Sequence, residues 1–461
     1  MSVLAAFAVP HPPLIVPAVG MGGEEQILET TRAYERVAEE IASLRPETIV
    51  ITSPHSVMYA DYFHISPRGG AQGSFTRFGA PGVRFSEKYD TELVKRICGL
   101  AAAENLPAGT LGERDASLDH GVMVPLWFIR KKYTEGEIVR IGLSGLPLTE
   151  HYRLGQLIAK AASELNRKVV LVASGDLSHK LQTYGPYGFA PEGPEYDRRI
   201  MDVFGRAAFG ELLGFDETFC EKAAECGHRS FVIMAGAFDG LGVRAKVLSH
   251  QDVTGVGYGV CSFCPEGPDE DRRFLKIYLE NEEKECLRKA QTGDPYVKLA
   301  RASVEAWVSR RRKLPVPEDL PEEMLSRRAG AFVSIHKNGR LRGCIGTISA
   351  TRGCVAEEIV SNAVGACSRD PRFEPVTEDE LKYLEIGVDV LGEAEDIDSP
   401  AQLDVKRYGV IVSCGSKRGL LLPDLDGVDT VEDQIGIARR KGGIGENDPY
   451  TLQRFEVVRH I

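Results

Sequence analysis

Short apolar runs rich in β-branched residues constrain the first 265 residues more than anything else. They are VLAAFAV (3–9), TIVITSP (48–54), VRIGLSG (139–145), KVVLVASGD (168–176) and GYGVCSF (257–263). Each is too short for a helix and lacks polar alternation, so each reads as a strand buried on both faces. Longer segments of helical period lie between them: residues 24–43, 87–104, 154–167 and HRSFVIMAGAFDGLG (228–242), which ends on glycines. RAKVLSHQD (244–252) is a more polar strand. Strands covered on both sides need helices on both sides. The expected class is therefore an α/β domain with a central, mostly parallel or mixed sheet flanked by helices.

The pattern changes near residue 265. CPEGPDEDRR (264–273) has the Pro/Gly/acidic composition of a linker, and FLKIYLENEEKECLRKA (274–290) that of a charged helix. The organisation expected is a domain over 1–265, a linker and charged helix over 266–289, and a second domain over 290–461. In that second domain AFVSIHKNGRLRGCIG (331–346) places two strand-like arms about Asn338-Gly339, a hairpin signal. CVAEEIVSNAVGAC (354–367) sets Val355, Ile359, Val360, Ala363, Val364 and Cys367 on one helical stripe. LEIGVDVL (384–391) alternates Ile386, Val388 and Val390, and YGVIVSCGSKRGLLLP (408–423) reads as a second hairpin. Hairpins mixed with helices make this an α+β domain.

Charge and composition exclude some functions. The formal charge is −11, so no basic excess supplies a phosphate-binding surface, and nucleic acid is not the expected ligand. No apolar run approaches the roughly 20 residues of a membrane span. The apolar N-terminus lacks a basic leading segment and carries prolines, so it reads as a first strand and loop and not as a signal peptide. Ten cysteines in 461 residues are too sparse for a disulfide scaffold, which points to a reducing cytoplasm. Cys261 and Cys264 have CxxC spacing but stand alone in a strand-like run, so they read as core and not as a zinc or redox pair.

Histidine placement is the most specific chemical signal. Of ten histidines, His11, His55 and His179 each follow an apolar strand candidate almost at once, and His120 precedes an apolar helix candidate. In an open α/β sheet ligands bind beyond the carboxyl ends of the strands, so these imidazoles are expected on one rim. Imidazole serves iron, zinc and copper, and also general base chemistry near neutral pH. His64, His151, His336 and His460 read as surface or supporting positions. His250, at another strand end, is left open. Asp176 and Ser178 are expected to orient their loop.

HPPLIVP (11–17), SPHS (53–56), DHGVMVPL (119–126), SGDLSH (174–179) and AECGHRSF (224–231) together resemble the catalytic-subunit type of the class III extradiol dioxygenase family, with its Memo-like relatives. The resemblance covers about residues 1–265. It implies metal binding at His11 and His55, an active-site histidine at His120 and an acid/base histidine at His179. For the third ligand it implies a glutamate in the dioxygenases and a cysteine in Memo-like members. Glu225 and Cys226 offer both, with His228 beside them. The implied activity is extradiol cleavage of a small catechol-type substrate at non-haem Fe(II). A thiolate ligand would instead favour zinc or copper.

The segment Leu341-Arg342-Gly343-Cys344-Ile345-Gly346-Thr347, with Asp370-Pro371-Arg372-Phe373, resembles the AMMECR1 domain over about residues 290–461. The two modules co-occur with a radical SAM protein in the so-called AmmeMemoRadiSam system. This implies an alternative role, as a component that binds a substrate or docks that partner without being a dioxygenase. Cys344 is expected to be a hairpin core residue with glycines for close backbone approach; the alternative is a nucleophile or ligand-binding thiol whose pKa Arg342 lowers. Oligomeric state is not legible.

Overall fold

Small and β-branched residues fill the runs at 3–9, 48–53 and 169–174 and leave them no exposed face. In the computed structural model, which describes residues 2–425 and 427–461, tertiary contacts divide the chain into Met1–Tyr278 and Leu279–Ile461. The longer elements of the first unit are β1 (Val3–Val9), α1 (Leu28–Leu44), β2 (Thr48–Ser53), β3 (Gly70–Phe75), β4 (Ala80–Lys88), α2 (Thr91–Ala103), α3 (His120–Lys132), β5 (Glu137–Gly142), α4 (Leu148–Glu164), β6 (Val169–Ser174), α5 (Glu192–Arg206), α6 (His228–Gly236), β7 (Leu241–Gln251) and β8 (Tyr258–Pro268). Six of the strands form one sheet in the order β5-β2-β6-β1-β8-β7. The first four are parallel and β8 and β7 are antiparallel, so the sheet is mixed.

Every residue of β2 and β6 is buried, as two-sided coverage demands. Ile49, Ile51, Val170 and Val172 face α1 and α3, where Tyr34 stacks on Phe128 at 4.4 Å. On the opposite face α4 and α6 approach so closely that a Cβ on Gly155 would lie 2.0 Å from the Ile233 carbonyl oxygen.

One sequence expectation fails in this unit and another is narrowed. The stretch expected to be a linker is strand as far as Pro268, paired with Leu241 at the far end of the β7–β8 hairpin. The outer part of that hairpin is largely exposed, so its sequence is polar and looks like a loop. His64 and His151 are buried and not on the surface; His64 Nδ1 meets the Leu111 carbonyl at 2.9 Å and His151 Nδ1 the Pro147 carbonyl at 3.0 Å. Cys261 and Cys264 stand three apart on β8 and project from opposite faces, so they cannot chelate one ion together.

In the C-terminal unit, α7 (Phe274–Thr292, which crosses the division) and α8 (Pro295–Arg310) lead to β9 (Ala331–Lys337), β10 (Arg340–Gly346), α9 (Val355–Ser368), β11 (Leu384–Leu391), β12 (Glu395–Ile397), β13 (Gly409–Cys414), β14 (Lys417–Leu421), α10 (Val431–Lys441), β15 (Thr451–Phe455) and β16 (Val457–His460). Two antiparallel sheets result, ordered β10-β9-β11-β16 and β12-β15-β13-β14. This is the α+β arrangement that the two hairpins imply. Asn338 and Gly339 take φ values of 53° and 71°, the left-handed pair that a two-residue hairpin requires. A Cβ on Gly343 would lie 2.2 Å from the Ala366 carbonyl oxygen of α9, so glycine there allows the helix to touch the strand.

Arg342 does not act on Cys344. The β9–β10 register shifts between Ile335 and His336, leaving Arg342 as the extra residue of a bulge. It turns away to pair with Glu380 at 2.9 Å, and burial raises the Cys344 thiol above its ordinary value.

Candidate metal centre

The parallel strands β2, β6 and β1 are neighbours, so their carboxyl ends open side by side. His55 follows β2, Ser174 ends β6 and the Gly175–His179 segment follows it, and His11 follows β1. Sheet topology alone therefore gathers residues that are far apart in sequence. His11 Nε2 and His55 Nε2 lie 2.9 Å apart, and Cys226 Sγ lies 3.6 Å from His11 Nε2. One donor atom from each of the three residues falls within 4.8 Å of the other two. His11 is buried, Cys226 half-buried and His55 exposed, so the cluster opens on one side.

Each donor is held by a residue behind it. Ser174 Oγ donates to the Gly121 carbonyl at 2.6 Å, which leaves it to accept from His11 Nδ1 at 2.9 Å. The proton of His11 thus sits on Nδ1, and the Nε2 lone pair points at His55 and Cys226. Tyr34 hydroxyl donates to the Pro10 carbonyl, and the Asp176 carboxylate accepts from the His11 N–H at 2.7 Å. Asp119 caps α3 and accepts from Ser53 and Ser56 hydroxyls at 2.6 Å each, which ties the His55 loop to the helix bearing His120. His120 stacks on His55 with centroids 4.0 Å apart.

Cys226 reaches the cluster because two glycines let the chain segments touch. A Cβ on Gly175 would lie 2.0 Å from Gly227 Cα. Across this contact the Asp176 N–H donates to Cys226 Sγ at 3.3 Å and the Gly227 N–H donates to the Asp176 carbonyl at 3.1 Å. His179 Nε2 stands 3.5 Å from Asp176 Oδ2, and Asp176, His179 and Cys226 form a second close group.

Electrostatics keeps the donors neutral. Although His55 is exposed on one side, desolvation of its ring, with the charges of His11 and His120, lowers it to about 3, and burial with the charge of His11 lowers His120 to about 4. Burial also lowers His11. Burial opposes protonation of His179, but the hydrogen bond and charge of Asp176 prevail and raise it. Neutral imidazoles facing a sulfur form a nitrogen–sulfur donor set that fits a first-row transition ion and suits neither magnesium nor calcium.

Of the residues named from sequence, the fold brings His11, His55, Cys226, His120 and His179 to one rim. It does not bring Glu225 or His228 into the donor group. Glu225 turns away to accept from the His228 N–H at 2.5 Å, and burial pushes its carboxyl up to about 7. His228 is used by Tyr196 at 3.2 Å and by the Leu212 carbonyl at 3.0 Å. His250 pairs with Asp197 at 2.9 Å, and Asp197 accepts from the Ser178 N–H, so His250 supports the SGDLSH loop from behind. Sequence reasoning missed Ser174 and Asp119. A hydroxyl at a strand end and a helix cap beside His120 were the available signals. It also undervalued Asp176, which faces both His11 and His179.

A cavity of about 870 Å³ adjoins the cluster and is lined by His55, His120, Phe78 and Met123, with Arg77 and Arg84 on its hairpin side. Among the described residues, no helix is long and apolar enough to cross a membrane.

Two family models match the chain, one in each unit. Residues 5–261 match the family model of the catalytic LigB subunit of aromatic ring-opening dioxygenase, and residues 297–460 match the AMMECR1 model. A Clostridium acetobutylicum protein, CA_C1420, is 41% identical over 100% of this chain and 99% of its own length. A Thermotoga maritima protein is 49% identical over 36% of this chain and 97% of its own. Among solved structures, the uncharacterized protein PH0010 from Pyrococcus horikoshii aligns at 28% identity with a TM-score of 0.34, covering 36% of this chain and 89% of that one. The first match spans more than half the chain, and the chain belongs to the LigB family, fused to an AMMECR1 domain.

Proposed function

We propose that the LigB unit is a metal-dependent ring-opening enzyme acting on a small dihydroxylated aromatic of the catechol class. The observation that carries this reading is the convergence of His11, His55 and Cys226 donors beside a half-buried His179 paired with the buried Asp176. Iron(II) held by those three donors would supply the one-electron chemistry with dioxygen that opening an aromatic ring requires. The protein's own groups then divide the remaining work. His179, held at 3.5 Å by Asp176, accepts a phenolic proton and returns it later. His120 is a neutral imidazole beside His55 and offers an N–H to negative charge that develops on oxygen. Phe78 and Met123 give the adjoining cavity an apolar wall for a ring.

Cys226 favours a second reading. A thiolate in place of a carboxylate suits zinc or copper better than iron(II). With either ion the unit would bind a substrate without opening its ring, as part of a modification system in which the AMMECR1 domain docks a radical SAM protein. One experiment separates the two readings. Anaerobically purified protein is loaded with iron(II), zinc(II) or copper, and oxygen uptake is followed over a panel of catechols. Uptake by the iron-loaded form alone, with a ring-opened product, supports ring cleavage. Tight zinc binding with no uptake by any form rejects ring cleavage in favour of the second reading.

A further inference from the structure

In the C-terminal unit two separate segments meet at one residue. The buried Asp370 carboxylate accepts from the Cys344 N–H at 2.8 Å and from Arg372 at 2.7 Å, and Arg372 donates to the Cys344 carbonyl at 3.2 Å. This clamp fixes the Cys344 backbone. The β10 bulge at Arg342 restores Cys344 and Leu341 to the face shared by Ser334 and His336. That face lines a groove of about 1080 Å³ whose other wall comes from the second sheet through Arg418, Gly419 and Leu420. The volume suits a small organic ligand.

The charges of the groove do not cancel. Among its lining side chains Asp389 pairs with Arg459, Glu385 with Lys289 and Asp424 with Lys406. Arg301 pairs with Glu305 and Arg288 with Glu285, while Arg372 is held by Asp370. Among the described residues Arg418 donates its side chain to the neutral Gln453, and neither Arg418 nor Lys441 has an acidic partner. The two are neighbours, because Gly442 packs its backbone against Gly419. Arg372 and Lys441 act electrostatically on the Cys344 thiol against Asp389 and Asp370, each of which is itself paired with an arginine. Apolar surface lies beside these cations: Phe332, Leu420, Leu422 and Leu341, the last 38% exposed.

We propose that this groove binds a small organic oxyanion, a carboxylate or phosphate monoester, carried on an apolar body. Arg418 and Lys441 receive the anion with Arg372 beside them, and Cys344, Leu341 and Phe332 seat the apolar part. Cys344 is a wall of the site and not a nucleophile.

The thiol reports on the site directly. Alkylation of Cys344 in the full-length protein is measured by peptide mass spectrometry with iodoacetate and with iodoacetamide. In each reaction the thiolate forms the S–C bond and iodide leaves, so the ratio of the two rates is independent of the thiol pKa. The ratio is expected to exceed that of N-acetylcysteine by about 3–10-fold, because Asp370 and Asp389 are paired with Arg372 and Arg459 whereas Arg418 and Lys441 in the same groove are not paired with a carboxylate. In the R418Q/K441Q double variant it is expected to fall to the N-acetylcysteine value. Phenyl phosphate or benzoate at millimolar concentration should slow alkylation more than inorganic phosphate or phenol does, and whichever of the two protects better identifies the anion. Three results would each overturn the proposal: no alkylation of Cys344, a ratio unchanged by the double variant, or no protection by either aromatic anion. Circular dichroism of the double variant checks that its fold is intact.

Discussion

Each unit places a half-buried cysteine beside a segment made possible by glycine, and the surroundings then diverge. Cys226 stands among neutral imidazoles whose lone pairs meet at a point: His11 Nε2 lies 2.9 Å from His55 Nε2 and 3.6 Å from the sulfur. Cys344 stands beside full positive charges spread along a groove. A point of neutral donors suits one cation, whereas a line of cations beside apolar surface suits an extended anion. Residue type alone does not separate the two cases. What separates them is whether the partners are neutral and convergent or charged and dispersed.

Removing the point of convergence should have the largest effect. His11→Ala and His55→Ala are each expected to abolish stoichiometric binding of iron(II) or zinc(II), measured by metal analysis and calorimetry, while circular dichroism remains that of the folded protein. Retained stoichiometric metal in both variants would refute the assignment. The same substitutions should leave the iodoacetate preference of Cys344 unchanged if the two cysteine sites are chemically separate.

Ser174→Ala tests orientation with all three donors kept. Without the hydroxyl, His11 Nδ1 and the buried Gly121 carbonyl lose their common partner. Metal affinity is expected to fall about 10–100-fold, the usual effect of losing such a supporting hydrogen bond. Stability should fall by roughly 1–3 kcal/mol because polar groups are left unpaired. Unchanged affinity in titration calorimetry would mean that His11 is oriented by its backbone alone.

The two units also differ in how much of them is legible in sequence. The sheet of the N-terminal unit is readable because β2 and β6 are buried throughout, and the rim is readable because histidines follow strand ends at His11, His55 and His179. Choosing between Glu225 and Cys226 is not possible from sequence, because adjacent residues point in different directions. The choice depends on the Gly175–Gly227 contact, which joins segments some 50 residues apart. Ser174 is hidden for a similar reason, since its role appears only once β6 lies beside β1. In the C-terminal unit the Asn338-Gly339 hairpin is local and therefore visible. The bulge at Arg342 reverses side-chain direction and has no signal of its own, so Arg342 falls on the wrong side of any reading by alternation. Exposed strand such as the end of β8 is equally hidden, because polarity on an edge hairpin looks like a linker.

The smallest expected effect belongs to the carboxylate that Arg342 reaches. Glu380 accepts from Arg342 at 2.9 Å, from Lys337 at 2.9 Å and from the Thr377 N–H at 3.0 Å. Burial alone would raise its pKa, but the hydrogen bonds from Arg342, Thr377 and Lys337 prevail and lower it to about 2, from 4.5. A folded-state pKa below the unfolded one means the charged form is the stabilising one. Its contribution is complete above about pH 4.5 and is lost as the pH falls through about 2. The lysine and arginine are partly exposed, so after solvent screening the contribution is about 1–2 kcal/mol. Glu380→Gln preserves the shape and removes the charge. Denaturant unfolding of the full chain, followed by a probe in the C-terminal unit, should show that loss at pH 7 and a diminishing difference from wild type below pH 4.5. A difference independent of pH would mean that Glu380 acts through packing and the Thr377 cap. In that case the bulge would be held by the main chain, and Arg342 would have no part in turning Cys344 into the groove.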